Sequence, residues 1–349
     1  CLAPRPPCRA MSPLPLVAVR PPAMRLAPRL LAAARVGACR SAGAASSHRA
    51  AAAIAAQRRR IQTARDVAVP ALVLAPADRQ RLEDEYRCAG PELLRRLLAH
   101  FKVKNLAQAP ISNFLVEAAA LGASGSVFFG VNLELSGHPL SATVHAEQFI
   151  VANAALHGET ALAELVVNAS PCGHCRQFLN EVNGAEDLAI HVMEPSGSLQ
   201  TLSHSQLLPA DFGPQHLGRA ERFLSPAAAS DHGLALVRQP PAAACDLAAA
   251  ALEAANRAYV PYSGCPAGVA LRLDDGRIFS GFCIESVAFN PSLPPLQVSI
   301  INAICQGALR SIDQVAEIAL VEKAEGKVSF ARTTYLGDKT AQLFHAAQS

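Results

Sequence analysis

The chain contains an internal repeat at a constant offset of 151 residues (260 − 109 = 151). Residues 109–130, APISNFLVEAAALGASGSVFFG, align without a gap on residues 260–281, VPYSGCPAGVALRLDDGRIFSG. The alignment contains six identities (Pro, Ser, Ala, Gly, Phe and Gly), and the same offset places Glu134 over Glu285. A self-similar segment of this kind predicts two copies of one fold in tandem. A chain of 349 residues is long enough for two such domains.

Strand and helix patterns alternate along the chain. Strand-like segments are predicted at 126–135, 162–169 and 187–194, with a short one near 198–203. Helices are predicted at 76–86 and 91–101, near His145 and near Cys172. Alternating strands and helices predict a layered α/β fold.

Composition divides the chain into four parts. Residues 1–65 form an Ala, Arg and Pro-rich leader with 12 Arg and no Asp or Glu, typical of an organelle transit peptide. The chain begins with Cys1, so a disordered or artefactual extension is the alternative, and we exclude the leader from the fold. We expect a first domain over 66–212, a Pro, Gly and Ser-rich linker over 213–242, and a second domain over 243–349.

The charge of the chain disfavours two classes of partner. Residues 66–349 carry 19 Lys and Arg (31 − 12) against 28 Asp and Glu, whereas binding to a phosphate backbone needs clustered basic side chains. Pro or Arg interrupts every apolar run near the N-terminus, so we expect no membrane span. Ten irregularly spaced cysteines predict a reducing compartment, the cytosol, or an organelle if the leader is a real transit peptide.

Two short motifs predict a catalytic metal site. His145 and Glu147 form His-x-Glu, and Cys172 and Cys175 form Cys-x-x-Cys after a proline. Alone, the first motif is compatible with a structural histidine and the second with a redox pair. Together, one imidazole and two thiolates can hold one Zn²⁺ per chain and leave a fourth position open, which is typical of a catalytic site. His174 is a weaker alternative ligand, and Glu147 is the candidate proton carrier because it lies beside the metal without binding it.

The second copy lacks these chemical groups. After a two-residue slip, TVHAEQFIVANA aligns on SLPPLQVSIINA, which places Pro294 at the position of His145 and Leu296 at that of Glu147. No Pro-Cys-x-x-Cys sequence follows in the second copy. We therefore expect one metal-binding copy and one degenerate copy.

The segments TVHAEQ, NASPCGHCRQF and FFGVNLELSG resemble cytidine deaminases, whose His-x-Glu and Pro-Cys-x-x-Cys pattern is a known signature of zinc nucleobase deaminases. LLPADFGP, AANRAYVPYSGCPAGVAL and AFNPSLPPLQ resemble the two-domain form of the family. The resemblance covers about 66–349. It implies a homodimer of three-layer α-β-α domains duplicated in tandem, in which the second copy is degenerate and lacks zinc ligands.

The resemblance also implies an activity, the hydrolytic deamination of free cytidine and deoxycytidine in pyrimidine salvage. Zinc-bound hydroxide attacks C4 in the family, and the residue matching Glu147 shuttles the proton. Asn132 and Glu134 match residues that bond the ribose hydroxyl, and Phe114 matches an aromatic residue near the base. No nucleic acid or membrane partner is implied.

One residue departs from the family pattern. Glu117 stands where the family has glycine, and the second copy keeps Gly268 there. A side chain at this point either crowds the base or points outward without effect. Because of Glu117, a catalytically impaired paralogue that acts through its dimer is one alternative to an active enzyme for free nucleosides. A polynucleotide cytidine deaminase is the other alternative.

Overall fold

The leader and both ends of the chain lie outside the part that can be described. The computed structural model describes residues 72–228, 230–236, 240–324 and 327–334. The predicted leader at 1–65 is outside these ranges, and the predicted domain boundaries stay predictions. The described residues belong to one compact unit of the chain.

The first repeat is built on a six-stranded mixed sheet. Its strands follow the order β1-β3-β2-β4-β5-β6. Neighbouring strands are antiparallel except for β4 and β5, which are parallel and are joined by a crossover. The strands are β1 (Val73–Leu74), β2 (Glu117–Gly122), β3 (Val127–Val131), β4 (Leu162–Val167), β5 (Ala189–Met193) and β6 (Leu199–Ser203).

Four of the five helices of the first repeat lie close to their predicted positions, and the short helix after β6 was not predicted. They are α1 (Pro76–Tyr86), α2 (Gly90–Phe101), α3 (Ala146–Leu156), α4 (Gly173–Leu179) and α5 (His204–Leu207). In α2 the leucines at 93, 94, 97 and 98 are buried, so the helix packs one apolar face on the sheet as its i, i+4 spacing predicts. Helix α4 forms the crossover between β4 and β5.

The second repeat has a shorter sheet with the order β10-β9-β7-β8. All its neighbouring strands are antiparallel. The elements are α6 (Cys245–Asn256), β7 (Ala267–Leu273), β8 (Ile278–Phe282), α7 (Pro295–Cys305), β9 (Val315–Ala324) and β10 (Lys327–Thr334). The arrangement of β8, β7 and β9 reproduces that of β3, β2 and β4.

Two glycines show that helices cover both faces of the second sheet. A Cβ atom on Gly268 would lie closer than 3.0 Å to backbone atoms of α6, and one on Gly281 would meet backbone atoms of α7 equally closely. Gly281 pairs with Val269, the neighbour of Gly268, and successive residues of a strand face opposite sides. Helices α6 and α7 therefore lie on opposite faces. Gly130 allows the same close approach of α3 to β3 in the first repeat.

The two repeats pack on each other through α3 and α7. Phe149 of α3 and Leu296 of α7 belong to one continuous cluster of buried apolar residues. The predicted tandem of three-layer α/β domains is confirmed. Within the described ranges, no helix is long and apolar enough to cross a bilayer.

Candidate metal centre and substrate cleft

The three predicted zinc ligands come together at the adjoining ends of two helices. His145 immediately precedes α3, Cys172 immediately precedes α4, and Cys175 lies in the first turn of α4. The Nδ1 atom of His145 is 3.4 Å from Sγ of Cys172 and 3.3 Å from Sγ of Cys175. All three ligand atoms lie within 4.8 Å of one another.

This geometry fits a tetrahedral zinc ion. With Zn–S and Zn–N bonds of about 2.3 and 2.05 Å, neighbouring sulfur and nitrogen ligands would be about 3.6 Å apart. Across the described residues, this is the only group of three His, Cys, Asp or Glu side chains found close enough to hold a metal. His174 is not in the group, because its Nε2 atom lies 3.1 Å from Nε2 of Gln148 instead. The donor set therefore suits one zinc with one open position.

The pKa values of the Cys172 and Cys175 thiols are shifted in opposite directions. A hydrogen bond from the thiol of Cys175, together with contact with His145, lowers the pKa of Cys172 to about 3. The same bond and burial raise the pKa of Cys175. The bond to Cys172 also raises the pKa of His145. Zinc binding releases such protons because the metal binds thiolate and neutral imidazole.

Glu147 is a buried carboxyl group beside the ligand group. It is the second residue of α3, and only 4 % of its surface is exposed. Burial raises its pKa, and a hydrogen bond with Cys175 opposes the shift without reversing it. The side chain is placed as the proton-carrier prediction requires, although that role stays a prediction.

An open cleft of ≈ 220 Å³ joins the predicted catalytic and substrate residues. Its wall includes all the predicted site residues except Cys175, which is fully buried behind it. The lining is Ser112, Phe114, Val116, Asn132, Glu134, Thr143, His145, Ala146, Glu147, Ala169, Ser170 and Cys172. The predicted site is thus one continuous surface.

Glu134 is held by the loop in front of β2. One carboxylate oxygen accepts bonds of 2.9 Å from the peptide N–H groups of Ile111 and Ser112, and the other accepts from the Ser112 hydroxyl. Partial burial raises the pKa of Glu134, but these bonds outweigh it and the net shift is downward. The carboxylate is partly exposed at the cleft wall, where a ligand in the cleft can contact it.

Asn132 and Phe114 are connected to each other. The Asn132 amide donates to the carbonyl of Phe114 at 2.8 Å and accepts from the N–H of Val116 at 2.9 Å. Asn132 therefore fixes the loop that presents Phe114, and one amide hydrogen remains for another acceptor. The Phe114 side chain is 62 % exposed at the cleft.

Glu117 does not line the cleft. Its carboxylate accepts a hydrogen bond of 2.8 Å from the N–H of Lys104, in the 3₁₀ turn Val103–Leu106 that follows α2. Of the two alternatives from the sequence, the outward one is correct, because the side chain leaves the strand on the face opposite α3. The reason for doubting an active cleft is thereby removed.

The sequence motifs did not reveal the roles of Ser112 and Gln148. Gln148 accepts from the N–H of His145 at 3.3 Å and donates to the carbonyl of Pro291 at 3.3 Å. The first contact is the i, i+3 pattern of a helix N-terminus, a signal present in the sequence. The second joins residues 143 positions apart, and no local pattern predicts it.

Comparison with known proteins matches both repeats to one family description. Residues 95–191 and residues 204–335 each match models described as the cytidine and deoxycytidylate deaminase zinc-binding region. The chain is 41 % identical over 253 residues to a cytidine deaminase of Aliivibrio fischeri, covering 72 % of this chain and 77 % of that protein. It is 42 % identical over 221 residues to a cytidine deaminase of Photobacterium profundum, covering 63 % and 70 % respectively.

Proposed function

The chain belongs to the cytidine deaminase family, and from this premise we propose that it hydrolyses free cytidine and deoxycytidine to uridine and deoxyuridine. In this reaction a water oxygen bonds to C4 of the base, the C4–N bond breaks, and ammonia leaves. The observation that carries the proposal is a buried carboxyl group, Glu147, beside a His/Cys/Cys group in the wall of an open cleft.

The chain supplies the metal ligands and the proton carrier. His145, Cys172 and Cys175 would hold the zinc. When bound, zinc supplies a Lewis acid that generates the attacking nucleophile from water near neutral pH. Two thiolates leave such a site without net charge, so an adjacent base is needed. Glu147 takes a proton from the attacking water and delivers it to N3 of the base; it then takes the proton of the new C4 hydroxyl and passes it to the amino group, which leaves as ammonia.

The sugar end of the cleft supports a nucleoside substrate. Glu134 is fixed by three donors of the loop before β2, so little freedom is lost when it accepts a bond from a sugar hydroxyl. A substrate without that hydroxyl would lose this bond to a charged group, which typically contributes about 1.5–3 kcal/mol. Phe114 is placed to pack on the flat base.

Charge favours a free nucleoside over a polynucleotide. Residues 66–349 have nine more acidic than basic side chains, and the chain has no Trp and only four Tyr. A single-strand binder needs a basic groove and stacking aromatic residues. None of the cleft-lining residues is Lys or Arg.

The experiment is to record the ultraviolet absorbance change after mixing the full chain, with its zinc content measured, with cytidine, deoxycytidine, CMP and a C-containing single strand. Change with the two nucleosides alone would support the proposal. Change with the strand would favour the polynucleotide alternative. No change with any substrate, in protein carrying one zinc per chain, would favour an inactive paralogue.

We also propose that the protein is a homodimer. Large apolar side chains on the loops near the cleft are exposed, including Ile111 at 47 % and Leu140 at 73 % in addition to Phe114. Exposed apolar residues grouped in this way are typical of an interface. Sedimentation should give twice the mass of the chain, and a single-chain mass at micromolar concentration would contradict the dimer.

A further inference from the structure

Glu181 is a buried carboxyl group with no part in the proposed reaction. It is 1 % exposed and lies two residues after the end of α4, the helix that carries the cysteine pair. Its three hydrogen-bond donors all come from the second repeat. They are the hydroxyl groups of Tyr259 at 2.7 Å and Tyr262 at 2.6 Å, and the N–H of Val287 at 2.8 Å.

The partners of Glu181 match an ionised carboxylate. All three donate hydrogen bonds, and each of the two carboxylate oxygens accepts at least one of them. Burial raises the pKa of Glu181, and the bonds from Tyr262 and Tyr259 offset this rise only in part. A buried charge of this kind contributes little net stability compared with an apolar pair. Its physical advantage is that it defines one geometry between the two repeats.

The backbone connects Glu181 rigidly to the cysteine pair. Its N–H donates to the carbonyl of Phe178 in the last turn of α4 at 3.1 Å, and its carbonyl accepts from Phe223 at 2.9 Å. Phe178 and Leu179 are buried in the core. A helix of seven residues spans only about 10 Å, so a shift at Glu181 moves Cys172 and Cys175 with it.

The same loop of the second repeat also contacts the helix that follows His145. Val287 binds Glu181 after α4, and four residues later the carbonyl of Pro291 accepts from Gln148 in α3. Gln148 in turn accepts from the backbone N–H of His145. The two helices that present the zinc ligands are thus connected by one segment of the second repeat.

We propose that Glu181 is a positioning residue of the zinc site: its three bonds to the second repeat fix the helix that carries Cys172 and Cys175 relative to His145. The second repeat then acts as a template for the metal centre although it holds no metal itself. This inference deepens the proposed zinc-dependent function and rests on it.

Glu181→Gln tests the inference because Gln keeps the shape but turns an NH₂ group toward a donor. Partners beyond the ligands typically contribute 10- to 100-fold to metal affinity or activity. We expect zinc transfer to the chelator 4-(2-pyridylazo)resorcinol at least about tenfold faster than in the wild type. The visible spectrum of the Co²⁺-loaded protein should shift, and kcat should fall about tenfold with KM changed less than about twofold.

Glu159→Gln is the matched control. Glu159 is also buried, and its carboxylate accepts from the N–H and hydroxyl of Ser124 and from the N–H of Thr160, which are in the first repeat and not in α4. We expect it to lower Tm as Glu181→Gln does, but to leave the zinc-transfer rate and the Co²⁺ spectrum unchanged. Equal acceleration in both variants, or wild-type transfer in Glu181→Gln, would overturn the proposal.

A gentler pair covers the case in which Glu181→Gln does not fold. Tyr262→Phe removes one bond to Glu181, whereas Tyr86→Phe removes a hydroxyl that bonds His100 of α2. We expect about fivefold faster zinc transfer for the first and no change for the second; the same rate in both would overturn the proposal. Neither metal measurement needs turnover, so an inactive wild-type protein would refute the proposed function and leave the test of Glu181 intact.

Discussion

The two repeats hold an equivalent carboxylate in the same way but differ in everything around the metal. Glu134 accepts from the N–H and hydroxyl of Ser112, and Glu285 accepts from the N–H and hydroxyl of Ser263, at the same offset of 151. In both repeats these bonds connect the loop before the first strand of the hairpin (β2 or β7) to the residues that follow its second strand (β3 or β8). The second repeat keeps these hydrogen bonds although it lacks the zinc ligands. The bonds therefore contribute to folding independently of the metal site.

The two repeats differ around the metal site in chain topology as well as in side chains. Pro294 and Leu296 replace His145 and Glu147 at the start of α7. In addition, β4 leads through α4 into the parallel strand β5, whereas β9 ends at Ala324 and is followed directly by the antiparallel strand β10. So short a connection leaves no room for a helix carrying a cysteine pair. The second repeat therefore cannot regain a zinc site by restoring two side chains.

The largest expected effect comes from removing a ligand that only the first repeat has. Cys172→Ala leaves two protein ligands, so zinc should fall from one per chain to near zero and turnover should be undetectable. Metal analysis by mass spectrometry and the cytidine absorbance assay measure the two losses. Cys245→Ala, an exposed thiol of the second repeat, is the control and should retain both. Stoichiometric zinc in Cys172→Ala would show that the ligands are misassigned.

Glu147→Gln should separate metal binding from proton transfer. A positioned acid–base group contributes about 10²–10⁴-fold, so kcat should fall by about that factor while one zinc per chain is retained. The amide keeps the size of the side chain but cannot carry the proton. Leu296→Ala, at the equivalent buried position of the second repeat, is the control for lost packing: it should lower Tm but reduce kcat far less than Glu147→Gln. Surviving turnover in Glu147→Gln would refute the proton-carrier role.

The two equivalent carboxylates provide a matched pair. Glu134→Gln and Glu285→Gln disturb the same cradle and should lower Tm by similar amounts, because each turns an NH₂ group toward peptide donors. Only Glu134→Gln should reduce kcat/KM for cytidine, by about 10- to 100-fold, since a hydrogen bond to a charged group contributes about 1.5–3 kcal/mol. Equal kcat/KM in the two variants would assign Glu134 a structural role alone.

Gly268 and Glu117 occupy equivalent strand positions in the two repeats, and Ala substitutions there should change Tm by different amounts. A Cβ at Gly268 would collide with backbone atoms of Ala251 and Ala255. Gly268→Ala should therefore cost about 1–3 kcal/mol and lower Tm by about 2–10 °C. Glu117→Ala, at the equivalent position, should change Tm by less than about 2 °C. Similar losses in calorimetry would show that the first repeat is packed as tightly here as the second.

Local pattern is sufficient to predict most elements of the first repeat and the group of side chains that could hold a metal. The helices at 76–86 and 91–101 and the strands β3 to β5 carry clear periodicity and end signals. His145, Cys172 and Cys175 are recognisable because metal geometry restricts residue type and spacing. The repeat alignment alone predicts that Pro294 takes the place of His145, and Pro294 does immediately precede α7 as His145 precedes α3.

Contacts between segments that are distant in the chain could not be predicted from local sequence pattern. Glu181 and Val287 are 106 residues apart, and nothing in the local sequence of Glu181 distinguishes it from a solvated surface glutamate. The Glu117 side chain points away from the cleft and accepts a hydrogen bond from the N–H of Lys104. That N–H lies in the 3₁₀ turn that begins after Lys102, whose φ of 51° ends α2. Such features depend on how elements meet, which sequence periodicity does not encode.

Glu117 leads to the smallest predicted effect, a pH dependence that the second repeat lacks at Gly268. Burial raises the pKa of Glu117 above its ordinary value of 4.5, and the bond from Lys104 only partly offsets this. An acid with a raised folded pKa contributes stability that is complete below the unfolded pKa and is lost as pH rises through the folded pKa. Glu117→Gln, which still accepts from Lys104, should match the wild-type Tm at pH 4 and exceed it by on the order of 1 °C at pH 7. Calorimetry at both pH values measures this, and the zinc site cancels because it is common to both proteins. A Tm difference that is the same at both pH values would mean that Glu117 titrates as a solvated side chain.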